Sequence, residues 1–199
     1  MRVLVLGGYG NFGARISRAL SSEPGISLLI GGRDAQRAAA QARELGQAAQ
    51  GLQVDIAAPG LAELLRAQRV ELLIHTAGPF QGLDYGVARA AAEAGAHYID
   101  LAEGRRFVCD FATALDADFR AAGRLAISGA STVPALSSAV VDALCPGWQQ
   151  IAQIDICIAP AQTAPRGEAT LAGVLSYCGK AIEVWQDGRW QTRHGWASP

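Results

Sequence analysis

The chain has 199 residues, half of them hydrophobic and 18% charged; this is enough for one full domain and part of a second, and it excludes a disordered or fibrous chain. The formal net charge is −1, with the charges interspersed, which argues against nucleic acid as the main partner because a phosphate-binding face needs a basic excess. No apolar run approaches the roughly 20 residues of a membrane span, and no signal peptide is evident behind Arg2, so a soluble, cytoplasmic protein is expected.

Residues 2–6 (Arg-Val-Leu-Val-Leu) form a short apolar run that stops at Gly7, the pattern of a strand buried on both faces. Phe12, Ile16, Ala19 and Leu20 then recur at helical spacing until Pro24-Gly25. The same reading predicts strands over 26–30, 52–56, 70–74, 97–101 and 125–128, and helices over 35–45, 60–68, 85–94 and 107–122. Six strands alternating with five helices at short loops specify an α/β fold: a Rossmann-type, doubly wound, mostly parallel sheet covered by helices on both faces. Its ligand crevice is expected beyond the carboxyl ends of the strands, where the strand order reverses.

The pattern changes after Pro146-Gly147. Ile154, Ile156 and Ile158 alternate with Asp155 and Cys157, the period of a half-exposed strand. A loop with Pro160 and Pro165 leads to a helix over 168–178. Residues 182–185 and 189–192 flank Gln186-Asp187-Gly188, a hairpin signal because Asp-Gly tolerates positive φ. The expected division is a Rossmann domain over 1–147 and the incomplete start of an α+β domain over 148–199. Trp185, Trp190 and Trp196 in that tail call for a partner surface, and a homodimer through the carboxyl-terminal segment is expected.

The turn Gly8-Tyr9-Gly10-Asn11-Phe12-Gly13 is G-x-G-x-x-G between a strand and a helix, the context that makes the motif informative. Gly8 would make the tight turn, Gly10 would let backbone approach a pyrophosphate, and Gly13 would let the helix pack on the sheet. The helix amino terminus then offers N–H groups and partial positive charge to the phosphates. Arg33 lies twenty positions after Gly13, where the ribose is read. An arginine there pairs with a 2′-phosphate, which favours NADP over NAD. Asp34 beside it leaves open a ribose hydroxyl acceptor with Arg33 stacked on adenine, or an Arg33 that is solvated only. Asp55 suits either the adenine amino group or a helix cap. Thr76-Ala77-Gly78-Pro79-Phe80 follows the fourth strand on the same edge; Ala77, Gly78 and Pro79 let a cofactor ribose pass close, and Phe80 could cover a ring.

Together with Gly32-Arg33, His97-Tyr98-Ile99-Asp100-Leu101 and Gly129-Ala130-Ser131-Thr132-Val133-Pro134-Ala135-Leu136-Ser137-Ser138, these segments resemble the saccharopine dehydrogenase-like family over about residues 1–145. The tail resembles it more loosely, through 167–173 and the 185–190 hairpin. The resemblance implies NADP(H)-dependent hydride transfer at a carbon–nitrogen centre of a small amino-acid-related substrate, with a larger second domain of which this chain holds only the beginning. It transfers no catalytic acid or base. Asp100 and Glu103, at the end of the fifth strand, read better as capping or loop residues, and His75 and His97 as structural. No metal-ligand spacing links the three histidines. Cys109, Cys145, Cys157 and Cys178 lack close pairing and are expected as reduced, buried thiols. Two other readings stay open. One is a non-catalytic dinucleotide sensor. The other is an atypical short-chain dehydrogenase, through Gly7, Gly10 and Gly13, although its Tyr–Lys pair is matched only by Tyr177 and Lys180 at the wrong spacing.

Overall fold

The computed structural model describes residues 1–46, 49–159, 161–164 and 167–197. The expected loop prolines Pro160 and Pro165 lie outside the described residues. Strands β1 (Arg2–Leu6), β2 (Ser27–Gly32), β3 (Ala49–Gln53), β4 (Leu72–His75), β5 (His97–Asp100) and β6 (Ala126–Ile127) alternate with helices α1 (Gly13–Ser21), α2 (Ala35–Leu45), α3 (Leu61–Ala67), α4 (Gly86–Ala94) and α5 (Arg105–Ala122). All strand pairs in this sheet are parallel, in the order β3-β2-β1-β4-β5-β6. This is the doubly wound Rossmann arrangement.

Alternation within each strand feeds two cores. Leu4, Leu6, Leu29 and Leu73 point to one face and pack with Leu65 of α3, Ala88 and Ala91 of α4, and Phe107, Phe111, Leu115 and Phe119 of α5. Val3, Val5, Leu28, Ile30 and Ile74 point to the other, under Ile16 and Leu20 of α1 and Ala38 and Ala42 of α2. Burying each large aliphatic or aromatic side chain contributes about 1.5–3 kcal/mol, so the central strands are covered on both sides.

β3 runs over Ala49–Gln53 rather than the expected 52–56. Gly51 accounts for the earlier start: a Cβ there would lie 2.6 Å from the backbone nitrogen of Ala39, so α2 packs directly on the strand at a glycine, a position that an apolar strand pattern passes over.

Helix α6 (Ser137–Leu144) follows the sheet, and α7 (Glu168–Leu175) precedes a two-stranded antiparallel ribbon, β7 (Ala181–Gln186) with β8 (Arg189–His194). The ribbon turns at Asp187 (φ 53) and Gly188 (φ 70), both left-handed as a two-residue hairpin turn requires. The expected strand at 154–158 is not formed. Among the described residues, 154–158 have no ladder partner, and an alternating pattern without one cannot satisfy its backbone as a strand. Ile154, Ile156 and Ile158 are exposed and, with Leu136, Val140 and Leu144, line an apolar groove. The cysteines also depart from expectation: Cys109, Cys157 and Cys178 are exposed and Cys145 half-buried, all as free thiols. No helix among the described residues is long and apolar enough to cross a membrane.

Candidate functional site

β1 pairs with β2 on one side and β4 on the other, so the strand order reverses between β1 and β4. The turn after β1 opens on that reversal. Gly7, not Gly8, takes the left-handed conformation (φ 80). Gly8 is constrained differently, since a Cβ on it would lie 2.8 Å from the Val5 carbonyl oxygen. A Cβ on Gly13 would collide with the Gly7 carbonyl oxygen and approach the Thr76 hydroxyl at 2.7 Å, so α1 can start this close to the turn only from glycine. Gly10 has one near neighbour for a Cβ, the Gly7 carbonyl oxygen at 3.0 Å, and otherwise opens onto the cleft. Helical bonding begins with Ala14 N–H to the Gly10 carbonyl at 2.9 Å. The N–H groups of Phe12 and Gly13 therefore precede the helical ladder and sit at its positive end.

A cleft of about 540 Å³ runs across these strand ends, within the usual range for small-molecule sites. It gathers Tyr9, Gly10, Asn11, Phe12, Arg33, Asp55, Ala77, Gly78 and Pro79 along one surface. Gly8 and Gly13 shape the turn from behind. Asp34 caps α2, its Oδ1 accepting from the N–H groups of Gln36 (2.9 Å) and Arg37 (3.0 Å). Asp55 lines the cleft while its Oδ1 accepts from the Ala57 N–H at 3.0 Å. Tyr9 lies across Gly32, whose missing side chain makes room for the ring. The Tyr9 hydroxyl accepts from the Asp34 N–H at 3.0 Å, and the Arg37 guanidinium lies 4.6 Å above the ring centre. Arg33 is exposed and offers its guanidinium to the β2 end of the cleft, which the Asp55 carboxylate also lines.

At the β4 end the cleft adjoins a chamber of about 230 Å³, sharing Phe12, Thr76, Gly78, Pro79 and Thr170 with it. Phe80 belongs to the chamber and not the cleft; it is buried, with its ring edge-on to His75 at 4.9 Å and Phe107 at 5.5 Å. Leu101, Glu103, Ser131 and Val174 complete the chamber. The contributions of Gly167, Thr170 and Val174 were not anticipated as site residues, although the resemblance over 167–173 pointed to that segment. A Cβ on Gly173 of α7 would lie 2.9 Å from Gln81 Nε2 and 3.2 Å from Glu103 Oε1, so α7 approaches the chamber rim at a glycine.

Behind the chamber wall, His75 Nδ1 meets the Tyr98 hydroxyl at 3.1 Å. Burial lowers the His75 pKa to about 4, opposed by an interaction with the Ala77 backbone. Burial, reinforced by the charge of Asp100, raises Tyr98. Burial also raises Asp100, while the N–H groups of Gly129 and Ala102 and the hydroxyls of Ser128 and Tyr98 pull it down. Tyr177 and Lys180 lie away from the cleft, where the Tyr177 hydroxyl accepts from the Arg105 N–H at 2.9 Å. No cluster of metal-binding side chains occurs among the described residues.

Strand order, glycine turn and cleft together define a Rossmann domain of the dinucleotide-binding type. The chain belongs to the family of the saccharopine dehydrogenase NADP binding domain, whose model matches residues 3–127. Among solved structures, it is similar to the apo, histidine-tagged saccharopine dehydrogenase (L-Glu forming) from Saccharomyces cerevisiae, at 15% identity and a TM-score of 0.53 over 72% of this chain. The chain spans 30% of the length of that enzyme. It is also similar to a short chain dehydrogenase/reductase family protein (22% identity, TM-score 0.52, 64% of this chain and 73% of that one). A third similar structure is 3-hydroxyacyl-CoA dehydrogenase type-2 from Mycobacterium avium (18%, 0.52, 64% and 71%). At these identities the structural likenesses establish the fold alone. No curated protein matches the chain.

Proposed function

We propose that this chain is the NADP(H)-binding part of an oxidoreductase that transfers hydride at a carbon–nitrogen centre of a small amino-acid-related substrate. The observation that carries the reading is the single cleft that joins the glycine turn, Arg33 and the Ala77-Gly78-Pro79 edge at the strand-order reversal. The residues fit a dinucleotide: Gly10 leaves backbone open to the cleft, and the α1 amino terminus faces it. When bound, the nicotinamide would supply or take up hydride. Gly8, Tyr9, Gly10, Asn11, Phe12 and Gly13 would hold the pyrophosphate, and Arg33 the 2′-phosphate. Ala77, Gly78 and Pro79 would flank the ribose nearer the chamber. Asp34 is better suited to its cap than to a ribose, and Asp55 to its turn, each with one carboxylate oxygen already accepting backbone N–H.

In this reading, residues 1–147 form the cofactor unit, and 148–199 begin a substrate and dimerisation unit whose α7 reaches the chamber. Against the short-chain dehydrogenase alternative, Tyr177 and Lys180 line a separate pocket and neither the cleft nor the chamber. A non-catalytic sensor differs from an enzyme in turnover. Steady oxidation of NADPH in the presence of an amino acid and a 2-keto acid, followed at 340 nm, is the expected result for an enzyme. The chain by itself is expected to turn over poorly, so dinucleotide binding with no oxidation across such pairs favours the sensor only in a protein that carries the complete substrate unit.

A further inference from the structure

Behind the chamber lies a buried carboxylate that the chemistry above does not use. Asp100 is fully buried at the carboxyl end of β5. Its Oδ1 accepts from the Ala102 N–H at 3.0 Å, the Gly129 N–H at 2.8 Å and the Ser128 hydroxyl at 3.0 Å. Its main-chain carbonyl accepts from the Ala130 N–H at 2.9 Å. One residue thus ties together two loops. The loop after β5 carries Leu101 and Glu103, the loop after β6 carries Ser131, and all three residues line the chamber.

The sheet cannot do this alone. β5 and β6 pair only through Tyr98↔Ala126 and Ile99↔Ile127, and the ladder ends there. Asp100 continues the connection where the strands stop. Burying a carboxyl group is costly, and Oδ2 is buried without a hydrogen-bond partner among the described residues; the three donors converging on Oδ1 offset that cost and hold both loops in one geometry.

We propose that Asp100 is the positioning residue of the chamber, joining the β5 and β6 loops so that Leu101, Glu103 and Ser131 form one wall beside the nicotinamide end of the bound dinucleotide. The proposal rests on reading the adjoining cleft as the dinucleotide site. Oδ1 acts only as an acceptor, so an amide serves as well as a carboxylate. In Asp100→Asn the amide oxygen keeps its three donors, and the NH2 group takes the place of Oδ2, a buried oxygen that has no hydrogen-bond partner among the described residues.

The test titrates the full chain with NADPH, reading affinity and reduced-nicotinamide emission together. Affinity reports the cleft; emission reports the surroundings of the ring. The unsubstituted chain is expected to bind with enhanced emission. Asp100→Ala should keep its Kd within about threefold, as expected for a site apart from the cleft contacts, yet lose most of the enhancement. Asp100→Asn should retain both. Ser128→Ala removes one donor and should lose roughly half the enhancement, one of several hydrogen bonds being gone; it decides the matter if Asp100→Ala does not fold. Unchanged emission in Asp100→Ala, or in Ser128→Ala where the former is insoluble, overturns the proposal. So does an affinity loss in step with the emission loss, which marks a merely structural role, or an Asn variant as impaired as the Ala variant. An unsubstituted chain that does not bind NADPH overturns the cleft reading and this proposal with it, whereas a binding chain with unaltered variants overturns this proposal alone.

Discussion

Arg33 and Asp34 are adjacent, exposed and opposite in charge, and the local hydrogen bonds separate their roles. The carboxylate of Asp34 is committed to the first turn of α2, while Arg33 lines the cleft. If Arg33 pairs with a 2′-phosphate, Arg33→Ala should weaken NADP+ binding by roughly 1.5–3 kcal/mol, the scale of a charge-assisted hydrogen bond. NAD+ lacks that phosphate and should change much less. Calorimetry with both cofactors checks this, and equal losses would assign Arg33 to adenine stacking instead.

His75 makes a second residue-scale case. Its folded pKa, about 4, lies below the ordinary 6.5 because burial excludes the charged ring. The neutral ring therefore contributes stability that is complete above pH 6.5 and is lost as pH falls from 6.5 to 4, by at most roughly 3 kcal/mol. Asp100, raised by burial, acts in the opposite sense, so the informative quantity is the difference between the chain and His75→Gln. Urea unfolding at pH 7 and pH 4.5 should show the larger loss in the unsubstituted chain. Parallel losses would contradict the assignment.

At the scale of elements, the core was legible because two periodicities alternate cleanly along the chain. α2 begins and ends where the apolar spacing and Gly46 place it, and the Asp187-Gly188 turn follows from the tolerance of those residues for positive φ. β3 was displaced because Gly51 serves helix packing, which no strand pattern reveals. The strand expected at 154–158 failed because period-two alternation shows which face is apolar but not whether a neighbour exists to pair with. The glycine turn and Arg33 were readable from spacing. The far wall of the chamber was not, because it is assembled from Leu101, Glu103, Ser131, Thr170 and Val174, which only the folded chain brings together.

For the molecule as a whole, the tail is the part with the least internal support. The β7–β8 ribbon has two strands, and Trp185 and Trp190, facing each other at 5.3 Å, are 61% and 60% exposed. A lone two-stranded ribbon is marginal in water, and its open edges and tryptophans suit a second copy of the chain. A homodimer through this segment is the expected state in light scattering at micromolar concentration. Changing Trp185 and Trp190 to serine should shift it toward monomer. A monodisperse monomer would show that the contacts of Tyr177 and Trp190 with Arg105 are enough to hold the tail.

The central claim is that the cleft beyond β1 and β4 holds NADP(H), and calorimetric titration of the chain with NADP+ and NAD+, repeated on Gly10→Val, tests it most directly. The Gly10 site opens onto the cleft apart from the Gly7 carbonyl, so a branched side chain there fills pyrophosphate space. The expected result is one site per chain with NADP+ favoured about tenfold or more, as one charge-assisted contact provides, and no binding to a folded Gly10→Val. Absence of binding to the unsubstituted chain, equal affinity for the two cofactors, or undiminished binding to the folded variant would contradict it.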